Sequence, residues 1–388
     1  MHRYIKVSLI VTLMAYFGST RTHASDIDYA PFTGVSAGLH LPDSIKVPGD
    51  IRADWKTLLR GRRLVPQDTS VEYPKFINFC LNVYRWAERT FNTYDPEYVA
   101  RLDRNGKVRL ISDNWTDTYY FKAHSGKAPL LMVSNPYSNI GVQANYSVLS
   151  LGYSIDLNTL INGRAAKHRK YTFSISCARL YGEAYFWQNK GGTVIRKFGN
   201  DPTDGNNIRN YPFEGMQSKM MGAIGMYIFN YKKFSLPAAY ALSMRQVKSA
   251  GTWMAGISAS FYDCDFDFTL LPEEIKENTK LPELLYELDY NSVNAMGGYS
   301  YNWVWNKHFL FNTTTIPGIG VSFSFTGSTP GRKDLFSTTI RQMFSLTYNN
   351  RSFFAAATST FHGNILFTKD ISFMSGILNF QASAGIRF

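Results

Sequence analysis

Residues 377–388 alternate without a break. Leu378, Phe380, Ala382, Ala384, Ile386 and Phe388 are apolar, and Asn379, Gln381, Ser383, Gly385 and Arg387 between them are polar or small. A strand sends successive side chains to opposite faces, so this stretch predicts a strand with one apolar face. The same period-two pattern starts at about Asp117 and recurs over 140–155, 171–177, 193–199, 218–230, 234–245, 251–263, 295–305, 309–326, 338–348 and 351–362. The phase slips by one near 148 and again near Ala178, which reads as a bulge in each case. The count is about twelve strands, an even number of the kind bacterial single-chain barrels use.

The hinges 231–233, 247–250, 306–308 and 349–350 are short, and short hinges join antiparallel neighbours. Trp303, Trp305 and Phe309 flank one of them, as an interfacial girdle would. Beyond the first 24 residues no stretch of 18 consecutive apolar residues occurs, so a membrane crossing has to be made by a closed barrel. With the carboxyl end facing the periplasm, the segment 265–289 faces outward and the turns 306–308 and 349–350 face inward. The loop 200–217 then falls on the periplasmic side, against the usual rule of long loops outside.

Residues 25–116 lack the alternation. Within them, 74–92 reads as an amphipathic helix: Pro74 suits the first helical position, and Phe76, Phe79, Val83 and Ala87 share one side. A shorter helix is read over 51–60. Met1 to Ala24 reads as a signal peptide, with His2, Arg3 and Lys6 before an apolar run and Thr22-His23-Ala24 as a small-x-small site. The expected organisation is therefore signal peptide 1–24, a periplasmic segment 25–116, and an all-β antiparallel transmembrane β-barrel over 117–388.

Composition fits an envelope protein. Aromatic residues make 15%, charged residues 18%, and the formal charge is +12. Removing the first 24 residues removes Arg3, Lys6 and Arg21 and no acid, leaving +9. No run of Lys and Arg marks a nucleic-acid tail, so nucleic acid is not expected as a partner. Outer-membrane lipid and lipopolysaccharide are. Cys80, Cys177 and Cys264 show no metal-site spacing, and the sequence does not say which of them pair.

Candidate chemistry is sparse. Asp263, Asp265 and Asp267 put three carboxylates on one strand face, the oxygen donors a hard cation takes. Phe266 and Phe268 stand where a calcium turn has Gly, so an acidic strand extension is the plainer reading. Asp201, Asp204, Asn206 and Asn207 read as turn formers. His362 with Ser359 or Thr360 has no nucleophile-motif spacing. No cofactor and no catalytic residue is expected. Lys122, Gln143, Asn145, Glu183, Asn302, Arg341, Asn379, Gln381 and Arg387 are expected to face a narrow polar lumen.

Two stretches carry a family resemblance. One runs from Tyr73-Pro74-Lys75-Phe76 through Trp86 and Tyr94-Asp95-Pro96 to Tyr98-Val99. The other runs from Phe229-Asn230-Tyr231-Lys232-Lys233-Phe234-Ser235 to Arg245-Gln246-Val247-Lys248-Ser249-Ala250-Gly251. On these the chain resembles a Bacteroidetes family of uncharacterised outer-membrane barrel-like proteins, the domain of unknown function 4421. The resemblance implies an exported barrel and brings no activity or site residue. Pro237, inside the second stretch, is read as a strand start or bulge. The closing strand, with Phe388 at its end, resembles the signal that barrel assembly machinery reads. The functional expectation is a narrow pore or a surface or assembly scaffold, with a periplasmic or surface protein as a further partner. An outer-membrane enzyme acting on lipid or polysaccharide is the alternative.

Overall fold

The computed structural model describes residues 51–52, 71–72, 93–102, 106–123, 129–146, 149–157, 168–198, 210–273, 276, 284–324, 333–350, 352–367 and 371–388. The chain divides into two compact units, 1–92 and 93–388. In the first, β1 (Ile51–Arg52) and β2 (Val71–Glu72) form a parallel pair. Ile51 and Arg52 are thus strand, where a helix over 51–60 was expected. The signal peptide, the helix at 74–92 and Cys80 lie outside the described residues.

The second unit opens with β3 (Val99–Arg101), β4 (Gly106–Ala123), β5 (Leu130–Ser134), β6 (Tyr137–Tyr146), β7 (Leu149–Asp156), β8 (His168–Ser176) and β9 (Leu180–Asn189). β10 (Thr193–Phe198), β11 (Tyr211–Phe213) and β12 (Met216–Ile228) follow, then the one-turn helix α1 (Leu236–Ala239) and β13 (Met244–Gln246). The long strands come last: β14 (Ala250–Asp267), β15 (Leu285–Trp305), β16 (Phe309–Ser324), β17 (Lys333–Asn349), β18 (Phe353–Phe367) and β19 (Ile371–Arg387).

One antiparallel sheet holds fifteen of these strands, against the twelve or so expected. Its wall runs β7, β6, β4, β19, β18, β17, β16, β15, β14, β12, β9, β8. The excess comes from a side branch. The lower part of β4, Gly106–Trp115, pairs with β6, while Thr118–Phe121 pairs with β5, and β5 carries β10 and β11. The wall curls until β8, at one end, reaches β6 and β4 near the other. The Tyr137 ring on β6 stands edge-on to His168 of β8 at 4.0 Å, and Lys170 of β8 bonds Asp113 of β4 at 3.1 Å.

Four local readings change. β4 starts at Gly106, so 106–116 belong to the wall; polar side chains on both its faces (Arg109, Ser112, Asp113, Asn114) hide the alternation. The two phase slips are hairpins: Tyr146 pairs with Leu149 and Ser176 with Tyr181. The stretch 193–199 lies in the side branch. The stretch 234–245 is α1 followed by coil and β13. Pro237 sits in the first turn of α1, where its missing N–H costs nothing, and the Ser235 hydroxyl caps the helix by accepting from Ala238 N at 3.3 Å. With that strand gone, the connection from β9 to β12 falls at the same rim as 268–284, where Asp267 N donates to Gly215 O at 2.7 Å. The misplaced long loop of the sequence scheme disappears.

Candidate functional site

β17 shows how the wall is built. Phe336, Ile340, Phe344 and Leu346 are exposed, and Ser337, Thr339, Arg341, Ser345, Thr347 and Asn349 are buried. Across the other strands the outward row continues with Leu110, Val142, Tyr171, Ile257, Ile319, Leu378, Phe380 and Ile386. From Phe336 to Tyr348 a strand rises ~40 Å along its own axis, or ~30 Å along a barrel axis at the usual tilt of ~40°. That matches an apolar band ~25 Å tall with its aromatic girdles. Trp253, Tyr299, Trp303, Trp305, Phe309 and Phe353 supply the girdle near one rim, all exposed. An apolar outer face around a polar lumen is the arrangement of an outer-membrane β-barrel.

The lumen is filled. At its centre Arg341 of β17 donates two hydrogen bonds to Glu183 of β9, Nη1 to Oε1 at 2.9 Å and Nη2 to Oε2 at 2.6 Å. Nη2 also bonds the Tyr181 hydroxyl at 3.0 Å, and that hydroxyl donates to Glu183. The parallel fork is the strong form of an ion pair, and it spans opposite walls. His362 packs edge-on against Tyr185 and Trp187 at 5.3 and 5.6 Å. Of the expected lumen residues, Gln143, Glu183, Asn302, Arg341, Asn379 and Arg387 do carry inward contacts. Lys122 is exposed, because Phe121 beside it turns inward.

The rim bearing Phe388 is blocked by the segment 229–249, a strap folded into the mouth. Phe234, Leu236, Ala239 and Leu242 are all buried there. The strap is tied to the wall by side chains. Ser345 Oγ donates to Ala239 O at 2.6 Å, Asn349 Nδ2 to Met244 O at 3.2 Å, Asn302 Nδ2 to Ser235 O at 3.1 Å, and Tyr240 OH to Asn312 Oδ1 at 2.6 Å. Gln246 folds the strap on itself: its Oε1 accepts from Ser235 N at 3.0 Å, and its Nε2 donates to Lys233 O at 2.6 Å. These buried carbonyls would otherwise go unmet.

The opposite rim is closed by rings. Phe268 stacks on Phe266 at 5.5 Å and on Phe213 at 5.9 Å, and meets Phe121 edge-on at 5.6 Å, while Phe266 meets Phe373 at 5.5 Å. These side chains come from β4, β11, β14, β19 and the 3-10 turn Phe268–Leu270, so they bridge the far end. Between the closures a cavity of about 30 Å³ is lined by Asp117, Trp187, Asn189, Tyr262 and Ser375 among others. That is room for about one water. A larger hollow of about 730 Å³ lies on the outer face, where Ala184, Ala223 and Ala259 form a lateral row of small residues beside Phe186, Met221 and Phe261.

The aspartates stand elsewhere. Asp263 and Asp265 point outward at the far end of β14, opposite Asp289 and Glu287 of β15. Burial first, then the neighbouring Asp263 and Glu287, raise the Asp265 carboxyl above its ordinary range. Asp267 caps the 3-10 turn by accepting from Thr269 N at 3.0 Å. Among the described residues no group of three or more His, Cys, Asp or Glu is arranged to hold a metal. Cys177 and Cys264 are unbridged. Alternation puts Ser359 on the opposite face from His362, so the two do not form a pair. The sequence reads 234–245 as a strand and not as a strap; Pro237 within it is the signal that argues against a central strand.

No curated protein matches the sequence. Solved structures similar to it include the outer membrane protease OmpT from Escherichia coli, at 10% identity over 76% of this chain and 98% of that one, with a TM-score of 0.27. They also include OmpT of Vibrio cholerae, at 8% identity over 71% and 98%, TM-score 0.22, and the toluene transporter TodX of P. putida, at 7% over 78% and 97%, TM-score 0.18. The family model of the domain of unknown function DUF4421 matches residues 93–388, the whole of the barrel unit with its strap, and the chain belongs to that family.

Proposed function

We propose that this protein is a non-enzymatic outer-membrane β-barrel that rests closed and serves as a membrane scaffold, with outer-membrane lipid and lipopolysaccharide around its wall. One observation carries the reading: the lumen is occupied along its length, by the strap at one rim, the Arg341–Glu183 fork at the centre and the Phe266–Phe268 ring cluster at the other. A narrow open pore needs a continuous polar passage, and these groups interrupt it three times. In this reading the strap rim faces the periplasm. The tight turn Asn306–Lys307 lies there, with both residues in the left-handed region at φ 51° and 59°. The ends of β14 to β17 that the longer connections join lie at the opposite rim, following the short-inside, long-outside rule.

Membrane fractionation and surface proteolysis test this placement. The protein should fractionate with the outer membrane and run heat-modifiably. Trypsin added to intact cells should cut at Lys276. Cleavage confined to opened envelopes would reverse the orientation, and recovery in the soluble fraction would overturn the membrane placement.

A further inference from the structure

The strap is attached in two different ways. To the wall it is bound by side-chain hydrogen bonds and apolar packing. To the chain entering the barrel it is bound by backbone. β3 and β13 form an antiparallel pair through Val99–Gln246, Ala100–Arg245 and Arg101–Met244. Asp95 N donates to Lys232 O at 2.9 Å and Val247 N to Tyr98 O at 2.7 Å, extending that contact ahead of Val99. Lys233 and Lys248 lie over the Tyr98 ring at 4.9 and 5.2 Å, and Lys248 pairs with Glu97 at 2.8 Å. The segment 93–102 and the strap are therefore one small body.

Within that body one residue is strained. Leu242 is buried and stands at φ 53°, a conformation that L residues other than Asn, Asp and Gly avoid. Such strain persists only where the surroundings hold it, and it gathers at switch regions. The holding group is Arg387 of β19. Its Nη2 donates to Leu242 O at 2.9 Å, its Nη1 donates to Asn350 O at 3.0 Å, and its guanidinium stacks 4.3 Å from the Phe354 ring. Arg387 is itself fixed, since its backbone N–H donates to Ser352 O at 2.7 Å.

We infer that the strap is a releasable closure of the periplasmic mouth, latched by Arg387 at the strained Leu242 and moving as one body with the segment 93–102 through β3. The inference rests on the closed-barrel reading above. When the latch is weakened, the strap should leave the mouth as a unit while the wall stays intact. The lumen beneath it, at Asn302, Asn312, Thr314 and Ser345, would then open to the periplasm.

Amide exchange on the full chain in lipid nanodiscs tests this, comparing wild type with Arg387→Met and Arg387→Lys. Arg387→Met should raise exchange across 236–246 and 98–101 together by tenfold or more, leaving β15 to β17 protected. Arg387→Lys, which keeps one donor for Leu242 O, should fall between. A Thr314→Cys probe, at a buried lumen position whose hydroxyl bonds Ser300 and Asn312 of the wall, should resist a small thiol reagent in the otherwise wild-type chain and react in Arg387→Met. Unchanged exchange in the strap would overturn the latch, and so would an equal rise in β19 and β4, which would make Arg387 a seam residue only. Strap exchange that rises without 98–101 would overturn the role of β3. A Thr314→Cys probe that reacts freely without Arg387→Met would instead defeat the closed-barrel reading, a result separate from the exchange comparison.

Discussion

Arg341 and Glu183 face each other across the lumen from strands five apart in the wall, joined by two hydrogen bonds of 2.9 and 2.6 Å. Both side chains are almost wholly removed from solvent. Taking charges out of water is costly, so the pair is weak evidence of net stability but strong evidence of mutual dependence. Glu183→Gln alone leaves a buried guanidinium without its counter-charge and should lower the stability of the barrel by about 3–5 kcal/mol. The double replacement Glu183→Leu with Arg341→Met should cost clearly less than the single one. Urea midpoints of the folded barrel in detergent check this. A single variant as stable as wild type would mean that water reaches the pair.

Phe234 anchors the strap. It is fully buried and packs with Leu236, Ile228 and Met254. Phe234→Ala should remove about 3–5 kcal/mol of local stability, as other buried Phe truncations do. The loss should appear as faster exchange in 234–246, with the strand protection of β14 to β19 retained. Loss of the whole barrel instead would mean that the strap is part of the folding core.

Phe388 and Gly106 close the seam between β19 and β4. Gly106 N donates to Phe388 O at 3.0 Å and Phe388 N to Gly106 O at 2.9 Å, and a Cβ placed on Gly106 would lie 2.5 Å from the Phe388 ring. Gly106→Val should therefore push the ring away and loosen the seam. Phe388→Ser should lower the yield of heat-modifiable barrel, because the exposed ring is the feature that assembly machinery would read. Normal barrel levels in Phe388→Ser would remove that role.

The acidic ladder at the far rim gives a pH dependence. Burial first, then the facing carboxylates, raise Asp265 and Asp289 above the ordinary aspartate value of ~4. A raised acid favours its protonated form in the folded state. Its contribution is present below the unfolded value and is lost as pH rises through the higher folded value. Lowering pH toward ~4 should thus tighten the β14–β15 extension near 263–267 and 285–289. Asp265→Asn should give the same tightening at neutral pH. Exchange that quickens on acidification would contradict the ladder.

What the sequence disclosed follows from how each element is patterned. β17 and β19 are long, with one face in an apolar solvent and the other in a polar lumen, so a period of two survives over their whole length. The first eleven residues of β4, 106–116, do not read as strand because inward Arg109 and Asp113 sit beside outward Ser112 and Asn114. The strap reads as a strand because Phe234, Leu236, Ala238 and Tyr240 also alternate. There, four residues of helix are too few to show a period of 3.6. The Arg341–Glu183 fork was legible as two inward charges but not as a pair, since 158 positions separate them. The latch was less legible still, because a positive φ at Leu242 leaves no mark in residue type.

Single-channel recording in planar bilayers tests the closed barrel most directly. Wild-type protein, confirmed as inserted by protection of its wall strands, should show no steady conductance steps across ordinary voltages. Regular steps of defined size from the wild-type chain would mean that an aqueous path runs past the strap, the Arg341–Glu183 fork and the Phe268 cluster. That result would contradict the account.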